Sequence, residues 1–177
     1  MSMIIRRYDI PISYRWYEIV IEVEKESGRR KIFLDSALKV EDQVYQLVAH
    51  ILDIQEGTKI LIKDFDDTFG YTVIVGEKTL DQHIQDHSLT HTTWEVTLPG
   101  AAKTKVVANK EPKEETVYFR GKKLPGIKRT KVLAAFCDLE WKYNEVEFKI
   151  EFRLERTWTE TLVMDKTIVD HFQPRQG

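Results

Sequence analysis

Residues 146–154 alternate without a break. Val146, Phe148, Ile150, Phe152 and Leu154 are apolar, and Glu147, Lys149, Glu151 and Arg153 between them are charged. A period of two gathers the apolar side chains on one face of a strand, and no helix can do this. The chain must therefore build a sheet with one dry face and one wet face. WYEIVIEVE, residues 16–24, repeats the signal, with Trp16, Ile19, Ile21 and Val23 set against Glu18, Glu22 and Glu24. The turn residues Glu26-Ser27-Gly28-Arg29 and the return Lys31-Ile32-Phe33-Leu34 make a hairpin of it. Further strands are predicted over residues 59–63, 71–75, 92–98, 104–108 and 115–120.

Helical spacing enters between these strands. Asp35 or Ser36 can cap a segment in which Val40, Val44, Leu47, Val48, Ile51 and Leu52 recur at intervals of three and four, and Gln55-Glu56-Gly57 stops it. That predicts an amphipathic helix. A short helix is predicted over residues 79–86, a helix or buried strand over 131–141, and a strand or short helix over 162–172. The expected class is α+β, a mixed or antiparallel sheet packed by a few helices. A chain of 177 residues suits one domain or two small ones. Residues 1–15 read as an N-terminal arm and 16–177 as one α+β domain, divisible into 16–100 and 101–177. No internal repeat and no low-complexity tract is visible.

Three patterns invite a chemical reading. Asp64-Phe65-Asp66-Asp67-Thr68 resembles the D-x-D-x-T loop of haloacid-dehalogenase-type phosphatases, but Tyr71–Val75 returns at once as a strand, and the later paired-acid loop that such an enzyme carries is not recognised after Asp67. An acidic hairpin loop is the better reading, with weak Mg²⁺ or Ca²⁺ binding as its alternative. His83, His87 and His91 would share a helix face, either as a wet polar face or as a metal grip, with Ser88 and Thr90 breaking the helix before His91. The single cysteine, Cys137, lies in the apolar run KVLAAFCDLEW, reads as buried and inert, and fits a reducing compartment. Nucleotide-binding glycine motifs and the G-x-S-x-G elbow are absent. The expectation is a protein without enzymatic activity, cofactor or small-molecule substrate.

Residues 101–131 hold ten Lys or Arg against three Glu, a local charge of +7 in a chain of net −2. YFRGKKLPGIKR interleaves aromatic, cationic and turn residues. The segment is either a solvated surface loop or a docking patch for the phosphates of RNA or anionic lipid. Arg120, Lys122, Lys123, Lys128, Arg129 and Lys131 are its candidate contacts. Ile4, Ile5 and Tyr8 of the arm, with Asp64, Asp66 and Asp67 of the acidic turn, are candidates for self-association, basic loop against acidic turn. Residues 1–20 carry Arg6, Arg7, Asp9, Arg15 and Glu18, which is neither a signal peptide nor a membrane span.

Two family resemblances follow. The order of elements over residues 14–100 resembles the β-grasp of ubiquitin-like domains, which implies a protein-interaction module or modifier. The lead RRYDIPISYRWYEIVIEVE, the polar turn and second strand, the basic YFRGKKLPG segment, the alternating EVEFKIEFRLE and the ending IVDHFQ together resemble rhabdovirus matrix proteins, in length the short type of plant cytorhabdoviruses. That resemblance implies a structural virion protein that forms homo-oligomers or polymers, condenses the viral nucleocapsid and meets the anionic lipids of the envelope's inner face. Its place would be the virion beneath the envelope and the host cytoplasm. No P-P-x-Y or P-[ST]-A-P motif occurs, so recruitment of budding machinery through one is not implied.

Overall fold

The computed structural model describes residues 2–44, 49–64, 69–112 and 117–177. The chain forms two compact units, Met1–Ile12 with Trp16–Asp86 and Pro174–Gly177, and Ser13–Arg15 with His87–Gln173. The first contains two sheets, each a meander. One is β1 (Met3–Ile12), β2 (Arg15–Glu24), β3 (Arg29–Leu34) and β4 (Ala37–Gln43), and the other is β5 (His50–Asp53), β6 (Lys59–Asp64), β7 (Tyr71–Val75) and β8 (Lys78–Thr79). Tyr17, Ile19, Ile21 and Val23 of β2 alternate into a core that also takes Ile10 and Ile32 from the same sheet and Ile60, Ile62, Val73 and Val75 from the other. Two antiparallel sheets that share one core make a sandwich.

The single helix among the described residues, α1 (Leu80–Thr90), leads into the second unit. Its sheets are β9 (His91–Thr97), β10 (Lys103–Asn109), β11 (Val117–Phe119) and β12 (Lys122–Lys123), then β13 (Lys128–Leu133), β14 (Phe136–Tyr143), β15 (Val146–Leu154), β16 (Trp158–Met164) and β17 (Thr167–Val169). The alternation of 146–154 holds up to its last residue: Val146, Phe148, Ile150 and Phe152 are buried, the charged residues between them are not, and Leu154 is exposed. They meet Trp94, Val106 and Phe119 of the other sheet in a second core.

This architecture corrects the α+β expectation. The segment expected to be helical over 36–52 contains β4 and β5, with Leu47 and Val48 outside the described residues. Asp35 and Ser36 do not cap a helix. Both take positive φ, 48° and 66°, as a tight hairpin turn requires, and send the chain straight back so that Val40 pairs with Ile32. The apolar residues that mimicked a helical stripe divide between faces: Leu52 is buried, whereas Ile51 is exposed. With that helix gone, the β-grasp order goes too, and every strand pairing described is antiparallel.

The same turn recurs in the second unit. Asp165 and Lys166 have φ of 45° and 68°. Asp35 N donates to Glu18 O (2.9 Å) and accepts at Oδ1 from Glu18 N (2.9 Å), and Asp165 N donates to Glu147 O (2.9 Å) and accepts at Oδ1 from Glu147 N (2.8 Å). The Asp side chain thus copies a ladder bond where the ladder ends. Asp35→Ala and Asp165→Ala should each cost about 1 kcal/mol in denaturant titrations, while the Asn variants, which keep the acceptor and tolerate positive φ, should stay close to wild type.

Candidate functional site

Five of the six cationic residues singled out above fall on edge strands, and the sixth lies in a turn. Lys122 and Lys123 are the whole of β12, the exposed edge of its sheet. Lys128, Arg129 and Lys131 lie on β13, an edge of the five-stranded sheet. Arg120 stands in the β11–β12 turn with φ of 53°, and its Nε donates to Thr104 Oγ1 (2.9 Å). Arg129 Nη2 donates to Pro112 O (2.7 Å). Lysines on edge strands oppose the addition of further strands, which gives this charge a structural reason to be there. In the other unit, Ile4 is half-buried against the core, Ile5 is about half exposed, and Tyr8 is buried within the core. Asp66 and Asp67 lie outside the described residues.

Asp64 belongs to the most developed polar site. Arg30 shares the inward face of β3 with Ile32 and is wholly buried. Its Nε and Nη2 donate to the two oxygens of Asp42 (2.8 and 2.7 Å), its Nη1 donates to Asp64 Oδ1 (2.6 Å), and its guanidinium lies 5.8 Å from the Tyr71 ring centre. Asp42 faces Arg30 across the β3–β4 ladder, and Asp64 faces Tyr71 across β6–β7. One guanidinium therefore ties the two sheets of the unit. His50 Nε2 stands 2.7 Å from Arg30 Nη2 and 3.0 Å from Asp42 Oδ2. An arginine only donates and a carboxylate only accepts, so Nε2 either accepts from Arg30 or donates to Asp42, according to where the imidazole proton sits.

Burial alone would lower the pKa of Arg30, but its hydrogen bonds to Asp42 and Tyr71 and the Asp64 and Asp42 charges outweigh this and hold it above the usual arginine range. Burial alone would raise Asp42, and the bonds and charge of Arg30, with His50, hold it below the usual carboxylate range. Burial raises the Tyr71 phenol. The site is a closed charge lock: every partner named here is a side chain of the same unit.

The histidine series does not converge. His83 Nε2 donates to Pro11 O (2.5 Å) and His87 Nε2 to Ser13 O (2.7 Å), while His91 has left the helix for β9 and stacks on His87 with ring centres 4.4 Å apart. Burial lowers the pKa of His91. No cluster of His, Cys, Asp and Glu among the described residues is arranged to hold a metal. Cys137 is buried in the second core.

Residues 4–138 match the model of a family described as Fas apoptotic inhibitory molecule (FAIM1), a stretch of 135 of the 177 residues. The chain belongs to this family. No curated protein and no solved structure matches. The FAIM1 match overturns the resemblance to rhabdovirus matrix proteins, and with it the virion, nucleocapsid and envelope roles that the resemblance implied. The ubiquitin-like reading falls with its missing helix. An aromatic strand, a polar turn and a basic Gly/Pro segment describe any antiparallel hairpin with a charged edge, so they carried no family information. No helix among the described residues is long and apolar enough to cross a membrane. The FAIM1 match spans β1 to β13 and the start of β14, and so includes the whole charge lock.

The lock has a pH signature. Because the folded pKa of Asp42 lies below its unfolded value, the unfolded chain binds the proton more tightly. Asp42 therefore contributes stability that is fully present above about pH 4 and is lost as pH falls through its depressed folded value. Thermal melts from pH 7 down to about 2.5 should show the loss, and Asp42→Asn should be less stable at neutral pH with a flatter acid limb. A variant as steep as wild type would remove Asp42 from the account.

Proposed function

We propose that this chain is a non-enzymatic inhibitor of Fas-driven cell death that acts by binding other proteins. The FAIM1 match carries the reading, since it covers more than three quarters of the chain and runs through both units. The geometry supports a binding role. The most developed polar constellation in the first unit has its charges spent on one another and ties two sheets, which is the work of a scaffold, and each unit offers strand edges and turns as surface. The test is expression of the chain in cells treated with Fas ligand, beside cells killed through a route that bypasses Fas. Improved survival confined to the Fas arm is the expected result. Equal death with and without the chain, at matched expression of folded protein, would overturn the proposal.

A further inference from the structure

The outer edge of β1 is covered by the end of the chain. Asp9 N donates to Arg175 O (2.9 Å), Gly177 N donates to Arg7 O (2.9 Å), and Tyr8 and Gln176 form an antiparallel bridge. Residues 175–177 thus lie beside residues 7–9 as a short added strand. The side chains recognise one residue type. Asp9 Oδ2 accepts from Arg175 N (2.7 Å) and Nε (2.8 Å), and Oδ1 accepts from Nη2 (2.7 Å). Glu18 Oε2 stands 3.4 Å from the same Nη2. Both charges together hold the Arg175 pKa above its usual range, the Asp9 bonds foremost.

Two features mark this as a receptor and an occupant rather than a seam. Asp9 falls on the opposite face of β1 from Tyr8 and Ile10, which enter the core, yet it is only 1% exposed. A carboxylate that deeply buried requires a cation, and the fork of an arginine satisfies both of its oxygens. Residues 175–177, by contrast, face solvent. They are preceded by Pro174, which has no N–H to give, and the Arg175 side chain remains 43% exposed. Short, solvent-facing strands belong to the low-stability end of a fold.

We propose that the edge of β1 around Asp9 is a binding site for an extended peptide strand carrying an arginine, and that residues 174–177 occupy it within the same chain. Backbone bonds to residues 7 and 9 supply affinity, and the Asp9 carboxylate selects arginine, as in strand addition to a sheet edge. Beyond residue 7 the same edge runs on past Ile5 and Met3, both about half exposed, so apolar residues following the arginine would find apolar neighbours. This inference stands apart from the Fas proposal and does not depend on it.

The probe is a fluorescein-labelled peptide of residues 171–177, HFQPRQG, titrated by anisotropy against the full chain, the chain ending at Gln173, and that shorter chain with Asp9→Asn. The shorter chain should bind, and the full chain and the Asp9→Asn form should bind at least tenfold more weakly. A peptide with lysine at the arginine position should also lose at least tenfold, because its point charge cannot fork. Full-length Arg175→Ala serves as a second acceptor, so the test survives a truncation that does not fold, as judged by circular dichroism. A folded acceptor that leaves the peptide free, or one that binds it equally well with Asp9→Asn, would overturn the proposal.

Discussion

Arg30→Ala is expected to destabilise the first unit by about 3–5 kcal/mol, because it leaves two carboxylates facing each other in a site built around a cation. The size of the effect comes from the asymmetry between breaking a buried pair and replacing it. Arg30 is wholly buried, and the side chains of Asp42 and Asp64 are only 20% and 15% exposed. Without the guanidinium, neither acid keeps a partner of that strength, and their mutual repulsion adds to the desolvation already incurred. Arg30→Lys should fall between wild type and Ala, since an ammonium can pair with one acid but cannot reach both oxygens of Asp42 and also Asp64. The triple change Arg30→Met, Asp42→Leu, Asp64→Leu should recover most of the loss, as apolar groups of similar volume often do in such sites. Urea unfolding followed by the fluorescence of Trp16, the one tryptophan of that unit, reads all three. An Arg30→Ala protein within about 1 kcal/mol of wild type would show that the lock contributes little.

Much of the strand framework was legible because period-two alternation is a local property. Residues 71–75 and 146–154 were bounded in the sequence as they stand in the fold, whereas the short helix expected over 79–86 runs from Leu80 to Thr90, through the supposed breakers Ser88 and Thr90, and ends just before His91. The expected face of β2 was off by one residue at its start: Tyr17, not Trp16, enters the core with Ile19. What failed was long-range or ambiguous. Val40, Val44 and Leu52 fit a helical stripe, yet a hairpin turn at Asp35-Ser36 decides for a strand, and positive φ at two non-glycine residues leaves little trace in composition. Arg30 hid in the run Gly28-Arg29-Arg30-Lys31, which reads as a charged turn, although its spacing of two from Ile32 was the one available hint that it points inward. Asp9 and Arg175 are 166 residues apart, and no local pattern could pair them. The repeated Asp turn escaped for a related reason: Glu18 with Asp35 and Glu147 with Asp165 play equal parts, but the strands around them share too few residue types to show as a repeat.

The second unit should respond most to Phe148→Ala, with an expected loss of about 3–5 kcal/mol. Phe148 lies on β15, 2% exposed, in the core that two sheets share. Its ring stacks on Trp141 with centres 5.2 Å apart and planes 3° from parallel, and it meets Phe119 of the opposite sheet edge-on at 6.1 Å. Truncation removes a large apolar side chain, leaves a cavity that two rigid rings cannot collapse into, and forfeits ring–ring attraction worth roughly 0.5–1.5 kcal/mol per pair beyond burial. Phe148→Leu should recover about half the loss, since it refills volume without restoring the rings. Trp94, Trp141 and Trp158 all belong to this unit, so their fluorescence reports its unfolding, and Tm should fall by more than about 10 °C. Comparison with Arg30→Ala adds a further reading. If the two units unfold separately, Phe148→Ala shifts the transition seen by these three tryptophans and leaves the urea midpoint of Trp16 in place. If one transition carries both, each substitution moves every probe together, and the two sandwiches behave as one cooperative body.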